Sequence, residues 1–410
     1  MHTSTRRLGK LLGFLILILT IPVFNQAQET MQQIDSLLRT FYPDNAPGAT
    51  VRILRKGKTV FNKSYGLANL ISGTPITAQT NFNIASLTKQ FTATAILQLV
   101  AQGKISLNDK LIEFFPDFQR GPGNLISIQQ LLTHSSGIMD HYDYTRSTQL
   151  KHATDQDVLQ AVKGIDSTYF SAGTAYRYSN TAYCLLALII EKVAGLSYEN
   201  YLHKNIFLPL GMKQARVWAP GLSIPQPATG YEFDSRRQQF IRADADESVF
   251  FSTQGDGGIY CSSDEYVKWF RGLQEGKILS KEWIRKARKK QFEIDKVRGL
   301  SYGYGWFIGE EEDPEVAYHT GSNGGFRSIS FSIPGENYLV LILSNRSGVD
   351  LEELAMEINK ILRVASKSFI KLGSLISFQD CWPIFAPCKE TIWYLTSFAR
   401  NWNAKDMALN

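Results

Sequence analysis

The sequence predicts an α/β protein of the α+β kind: an antiparallel sheet drawn from both ends of the chain, flanked by two terminal helices, with a mostly helical lobe inserted between them. Three observations predict it. Strand signals lie at 49–54 and 59–65 near one end and at 326–333 and 338–343 near the other. Helical periodicity precedes the first pair and follows the last. The long stretch between them carries helical patterns separated by loops, so the simplest packing puts both ends in one sheet.

Taken in order, the chain begins with Arg6, Arg7 and Lys10, a nearly unbroken apolar run from Leu11 to Phe24, and then Asn25-Gln26-Ala27. A basic n-region, an apolar h-region and a small residue at the end describe a secretory signal peptide, residues 1–27. The run is shorter than the roughly 18–20 residues that a spanning helix needs, and no other stretch is long and apolar enough. The expectation is an exported bacterial protein, periplasmic or secreted, with no stable membrane span after cleavage. Met31, Ile34, Leu37, Leu38 and Phe41 then recur at helical spacing and stop before Pro43. The two strands that follow meet at Lys56-Gly57-Lys58, a hairpin signal. From Ser86 to about Val100 the period is helical again, with Phe91, Ala95 and Leu99 stacked, and helices and loops continue to about residue 300. The late strands are joined at Pro334-Gly335-Glu336-Asn337, and a last helix carries Leu351, Leu354, Ile358, Ile361 and Leu362 on one face. The main domain is expected over 28–365. Residues 366–410, with Trp382, Trp393, Trp402, Cys381 and Cys388, show no sustained period and read as a separate tail whose two cysteines are spaced to permit a small loop.

Composition narrows the classes. With 410 residues, 44% hydrophobic and 20% charged, the chain has ample material for a core in one two-lobed unit or two to three domains, which excludes wholesale disorder. The formal charge of +6 falls to about +3 once the three N-terminal cations are removed, no footprint for nucleic acid. Four scattered cysteines and no CxxC exclude a disulfide scaffold, and Cys184 and Cys261 read as buried thiols. No GxSxG elbow, phosphate loop or HExxH zinc helix occurs. His134, His141 and His152 with Asp140, Asp143 and Asp155 match no common ligand spacing, so no metal or other cofactor is expected. Arg285-Lys286 and Arg288-Lys289-Lys290 read as a solvated helix face.

Three short motifs carry the chemistry. In Ser86-Leu87-Thr88-Lys89, a serine at a helix start has a lysine one turn on, on the same face. A desolvated lysine there can take the hydroxyl proton, if its pKa falls by roughly 3 units. The helix N-terminus offers free N–H groups to an oxyanion. Ser368-Phe369-Ile370-Lys371 repeats the spacing in the tail, so the motif alone decides nothing. In Tyr178-Ser179-Asn180, ahead of the apolar helix marked by Tyr183, Leu186, Ile190 and Val193, a phenol and an amide stand at a loop-to-helix junction. Tyr198-Glu199-Asn200 copies this pattern and reads as part of a surface helix. In His319-Thr320-Gly321-Ser322, on or beside a strand, the glycine lets substrate approach the backbone, and the Ser322 N–H is placed to complete an oxyanion hole.

Ser-x-x-Lys, then Tyr-x-Asn, then His-Thr-Gly, in that order, resembles the serine β-lactamase and penicillin-binding-protein superfamily, and most closely its class C-like branch of esterases, D-amino-acid peptidases and β-lactamase-related hydrolases. The resemblance extends through Leu131–Gly137, Gly257–Asp264 and Gly325-Phe326, covers roughly residues 30–365 and leaves the tail outside. It implies a β-lactamase/DD-peptidase-like fold with the site between sheet and helical lobe. It further implies Ser86 as acylated nucleophile, Lys89 as proton acceptor, Tyr178 as proton shuttle, Asn180 as positioner of lysine and substrate, the Ser86 and Ser322 N–H groups as oxyanion hole, and His319 and Thr320 as strand residues lining the site. One departure matters: members acting on β-lactams or cell-wall peptides usually carry Lys where this chain has His319. Histidine is largely neutral near pH 7, which favours an ester, amide or short peptide substrate. Arg327 is the candidate to restore a positive charge. The leading reading is an exported serine hydrolase working through an acyl-enzyme on a small molecule or short peptide. The same mechanism acting as a DD-carboxypeptidase or β-lactamase is the alternative, and a non-catalytic binding module is the third.

Overall fold

The computed structural model describes residues 28–142, 152–243, 249–309 and 316–374. The apolar leader, Asp143, Cys381 and Cys388 lie outside these residues, as do the side chains of Ser368–Lys371. Two units divide the chain: one comprises Met1–Ile34 and Asn359–Asn410, the other Asp35–Ile358. The second holds the sheet, the helical lobe, Ser86–Lys89, Tyr178–Asn180 and His319–Ser322.

Helix α1 spans residues 28–41, as the apolar spacing predicts. Strands β1 (Ala49–Arg55) and β2 (Lys58–Tyr65) form a hairpin whose loop residues Lys56 and Gly57 have φ of 49° and 74°. Two positive φ values in a two-residue loop match the right-handed twist of the strands. Helix α2 (Thr88–Ala101) and helix α3 (Asn180–Ala194) run through the lobe, and helix α4 (Ser263–Glu275) follows. The remaining strands are β3 (Phe292–Asp295), β4 (Leu300–Tyr302), β5 (Phe307–Gly309), β6 (Val316–Asn323), β7 (Phe326–Ile333) and β8 (Tyr338–Ser344). Together they make one antiparallel sheet in the order β3-β4-β5-β6-β7-β8-β1-β2. Both chain ends meet at the β8–β1 pair, with Ile53 opposite Val340 and Val51 opposite Ile342. Every residue of β8 is buried, as in a central strand covered on both faces. β2 is the exposed edge and carries Lys58 and Lys63, which discourages pairing with another chain. Asp35 of α1 ties to this edge, accepting from Tyr65 Oη at 2.7 Å and pairing with Lys63 at 2.9 Å.

Three features go beyond the sequence expectation. Strands β3–β5 were not predicted, because three or four residues are too few to show an alternating pattern. The lobe is not purely helical: Phe82–Asn83, Ile259–Cys261 and Arg216–Val217 form a small sheet, and Tyr231–Asp234 pairs with Gln239–Arg242. Helix α5 (Leu351–Ser374) runs past the domain boundary expected at residue 365. Two smaller expectations are also corrected. Arg288 is buried, its guanidinium 5.2 Å from the Trp306 ring and 5.9 Å from that of Phe270; its charged neighbours Arg285, Lys286, Lys289 and Lys290 are exposed as expected. Tyr198 is likewise buried, its hydroxyl 2.6 Å from Thr92 Oγ1. Among the described residues no single helix is long and apolar enough to cross a membrane.

Asn345 staples the start of β1 to the lobe. Its Oδ1 accepts from Gly48 N at 2.7 Å, and its Nδ2 donates to the carbonyls of Leu67, Ala68 and Thr229 at 2.8–3.2 Å. Asn345→Ala removes these bonds and leaves buried backbone groups unmatched, so the urea midpoint is expected to fall by the equivalent of about 3 kcal/mol. An unchanged midpoint would show that the staple is dispensable.

Candidate active site

Ser86 lies in the 3₁₀ turn Ala85–Leu87 that runs directly into α2. The turn is held tightly from below. Ile84 N–H donates to Ile259 O at 2.9 Å, Ser328 Oγ donates to Ile84 O at 2.7 Å, and Ala85 N–H donates to Asn83 Oδ1 at 2.8 Å. Ala85 adopts φ of 48°, a left-handed conformation that costs an L-residue about 1–2 kcal/mol. That strain sits one residue before Ser86 and is sustained by the surrounding bonds.

Lys89, one turn along, has no exposed surface, because α2 is buried on all sides. Its Nζ donates to Ser86 Oγ at 3.0 Å, Asn180 Oδ1 at 2.8 Å and Asp256 O at 2.8 Å. Burial lowers its pKa to about 8, while the negative groups Asp256, Cys184 and Asp140 oppose the shift. Asn180 is the first residue of α3, which Ser179 caps by accepting from Ala182 N–H. Its Nδ2 donates to Tyr142 Oη at 3.4 Å.

Tyr178 is half-buried, its ring 4.9 Å from Lys89 Nζ and 4.3 Å from the His134 ring. Burial pushes its phenol up, against a hydrogen bond to Ser86. His134 accepts the Ser179 N–H through Nδ1 at 3.1 Å, and burial holds it far below its usual range.

His319 on β6 is buried between two partners. Nδ1 lies 2.6 Å from Thr320 O and Nε2 lies 2.8 Å from Tyr302 Oη. A carbonyl only accepts, so Nδ1 carries the proton and Nε2 accepts from the tyrosine. Burial, reinforced by Lys89, lowers its pKa to about 3. Gly321 has a steric reason to be glycine within the fold itself. A Cβ there would lie 2.3 Å from Ser328 Oγ and 2.7 Å from Ile84 O, so the close approach is that of the Ser86 turn itself. Thr320 is half-buried and Ser322 is exposed at the end of β6. Arg327 points its Nη1 back to the carbonyls of Gly324 and Phe326 at 2.7 and 2.8 Å.

The structure thus gathers Ser86, Lys89, Tyr178 and Asn180 around one ammonium, with His319 6.1 Å from the Tyr178 ring and Gly321 packed beneath the turn. Sequence reasoning missed the Asp256 carbonyl, Tyr142 and Tyr302. A carbonyl acceptor has no sequence signal, although Asp256 does adjoin the Gly257–Asp264 segment. His141 Nδ1 lies 3.0 Å from Thr181 Oγ1 and 3.8 Å from Asp140 Oδ1, and His152 packs on Trp218.

Comparison with known proteins identifies the family. A match to the Beta-lactamase family spans residues 34–363. The chain belongs to the beta-lactamase family. By that membership it is a serine hydrolase with the fold of β-lactamases and DD-peptidases. Penicillin-binding protein 4* of Bacillus subtilis (strain 168) is 27% identical over 78% of this chain and 72% of its own length. A penicillin-binding protein homologue from Pyrococcus abyssi, octameric in its solved structure, is 28% identical with a TM-score of 0.69 over 83% of this chain and 76% of its own. The fold is also that of D-amino acid amidase from Ochrobactrum anthropi SV3, at 22% identity and a TM-score of 0.67 over 85% and 99% of the two chains.

For this family member, the His319 geometry makes a direct prediction. Ring ¹⁵N shifts of His319 should show a neutral imidazole, protonated at Nδ1, throughout pH 5–8. A titration near the ordinary histidine value of about 6.5 would contradict it.

Proposed function

We propose that this protein is an exported serine hydrolase that forms an acyl-enzyme on Ser86 and cleaves an ester, amide or D-amino-acid-containing peptide bond. The observation that carries the proposal is the buried Lys89 amine, 3.0 Å from Ser86 Oγ and depressed to about 8. In the free-base form it accepts the Ser86 proton as Oγ attacks the substrate carbonyl carbon. The resulting tetrahedral oxyanion is held by the backbone N–H groups of Ser86 and Ser322. The ammonium proton passes by way of the Tyr178 hydroxyl to the leaving group as the C–O or C–N bond breaks. Water then attacks the acyl carbonyl, passing one proton to the Lys89–Tyr178 pair; that same proton moves on to Ser86 Oγ as its bond to the acyl carbon breaks, and the free acid leaves. Asn180 keeps the amine aimed throughout. This division of labour is that of an activated nucleophile with an adjacent base.

A neutral His319 and an Arg327 turned onto its own backbone offer little positive charge to a substrate carboxylate, which supports an ester or amide without one. Relatives named for binding penicillin support the second reading, the same chemistry on cell-wall peptides or β-lactams. Export is supported by the basic-then-apolar leader at residues 1–27. Residues 28–365 are proposed as the hydrolase domain and 366–410 as an appendage.

A fluorophosphonate should add one adduct to the wild type and none to Ser86→Ala, read by intact-protein mass. The labelling rate should climb as pH rises through about 8, since the depressed lysine is active only after losing its proton. Lys89→Met should lower the rate by on the order of 1,000-fold or more. A folded wild type that takes no label would remove the catalytic reading and favour a binding module. Acylation by benzylpenicillin would move the assignment to the second reading.

A further inference from the structure

Close to Lys89 lie two acids and a thiol whose side chains the mechanism above does not use. Asp155 opens the helix Asp155–Val162, Cys184 lies on α3, and Asp256 sits in the turn before Ile259–Cys261. All three are buried, and their carboxylate oxygens and sulfur lie within 4.8 Å of one another. We propose that Asp155 and Asp256 share one proton as a buried carboxyl pair, and that Asp155 acts as a positioning residue for Lys89 by gripping the turn whose carbonyl receives the lysine. The positioning half rests on the Ser86–Lys89 reading above.

The geometry is specific. Asp155 Oδ1 accepts from Gln254 N–H at 2.9 Å and Oδ2 from Gly255 N–H at 3.0 Å. One residue further on, Asp256 O accepts from Lys89 Nζ at 2.8 Å. The same turn is held from its other side, because Thr92 Oγ1 on α2 donates to Gly255 O at 2.6 Å. It also lies flush on α3, since a Cβ at Gly255 would meet Tyr183 O at 2.3 Å and the Ala187 methyl at 2.6 Å. The turn therefore has nowhere to move while Asp155 holds both N–H groups. Cys184 Sγ donates to Asp256 Oδ1 at 3.6 Å.

With their carboxylate oxygens within 4.8 Å and both side chains buried, burial and like charge disfavour a second negative charge at Asp155. Burial and the neighbouring Asp256 raise the Asp155 carboxyl to about 7. The pair then carries a single negative charge facing the Lys89 ammonium, so it stabilises the cation formed when Ser86 gives up its proton. The other titratable groups around it are Asp140, His141 and Tyr142 from the loop before the lobe helices, Tyr178 and Tyr183 beside the amine, and Tyr198 beyond Thr92. His134 and His319 also face Lys89 and are held neutral by burial.

The test uses the full chain with Asp155→Asn and Asp256→Asn. An asparagine at 155 accepts one N–H and opposes the other. Fluorophosphonate labelling should slow by on the order of 10–100-fold, with the probe concentration for half-maximal rate little changed. Asp256→Asn removes the facing charge, so the acid limb of the labelling profile should move to lower pH as the maximal rate falls. Rates and profiles equal to wild type in both folded variants would overturn the proposal. So would a lower melting temperature with an unchanged pH profile, the signature of a merely structural role. Infrared difference spectra of ¹³C-aspartate-labelled wild type between pH 6 and pH 8 give a readout free of activity and of variant folding. A protonated aspartic acid band supports the pair; its absence, or one equivalent of bound divalent metal in the purified protein, overturns it. Because this spectrum does not depend on Ser86, a wild type that takes no label would sink the proposed function while the shared proton is still decided.

Discussion

The buried ammonium of Lys89 is the constraint on which the rest of the site depends. A lysine with no exposed surface loses hydration worth several kcal/mol, and the loss is tolerable only where its hydrogens find acceptors. Here the three acceptors come from three distant parts of the chain: the turn at Ser86, the start of α3 at Asn180 and the carbonyl of Asp256. No local segment could supply them. The lysine therefore makes the tertiary fold a condition of its own solvation, and the fold in turn sets how readily it gives up a proton.

The elements that meet at the amine are fixed with little slack. Ala85 is held in a left-handed conformation by Asn83 and by the strand residues beneath it, and Gly321 leaves room for that turn only because it has no side chain. The Asp256 carbonyl is held from two sides, and Asn180 begins a helix whose first turn is capped by the residue before it. Each of these anchors is a backbone group or a short polar side chain. Such anchors carry little conformational entropy, so the geometry is set before any substrate arrives.

The same distinction explains what was legible in the sequence. Strands β1, β2, β7 and β8, seven or eight residues long, announce themselves by composition and by their turns. Strands β3–β5, three or four residues long, do not, since they owe their existence to the edge that β6 offers. The Ser86, Lys89, Tyr178 and Asn180 motifs could be read because side-chain identity is their function. The Asp256 carbonyl could not, because every residue has one. Arg288 was misread for a related reason. A run of basic residues is solvated on average, but one member at a helix end points inward against Trp306 and Phe270. Tyr198 shows the converse, a motif that looks like a surface copy of Tyr178 and proves to be a buried brace for Thr92.

His319 shows why a family can be legible while a substrate is not. By identity alone the residue could be a cation at mildly acid pH or a neutral donor. Its state is decided by Tyr302, which lies on one of the short strands without a sequence signal, and by the carbonyl of the next residue in its own strand. Those two partners fill both ring nitrogens, and burial beside Lys89 removes the remaining tendency to protonate. Arg327 turns its Nη1 onto nearby carbonyls of its own hairpin. Under the proposed function, selection at such a site falls to shape and hydrogen bonding rather than ion pairing. In the proposed mechanism the lysine is the group whose charge changes, and a second cation beside it would have depressed its basicity further. Keeping His319 neutral therefore serves the base as much as it shapes the substrate.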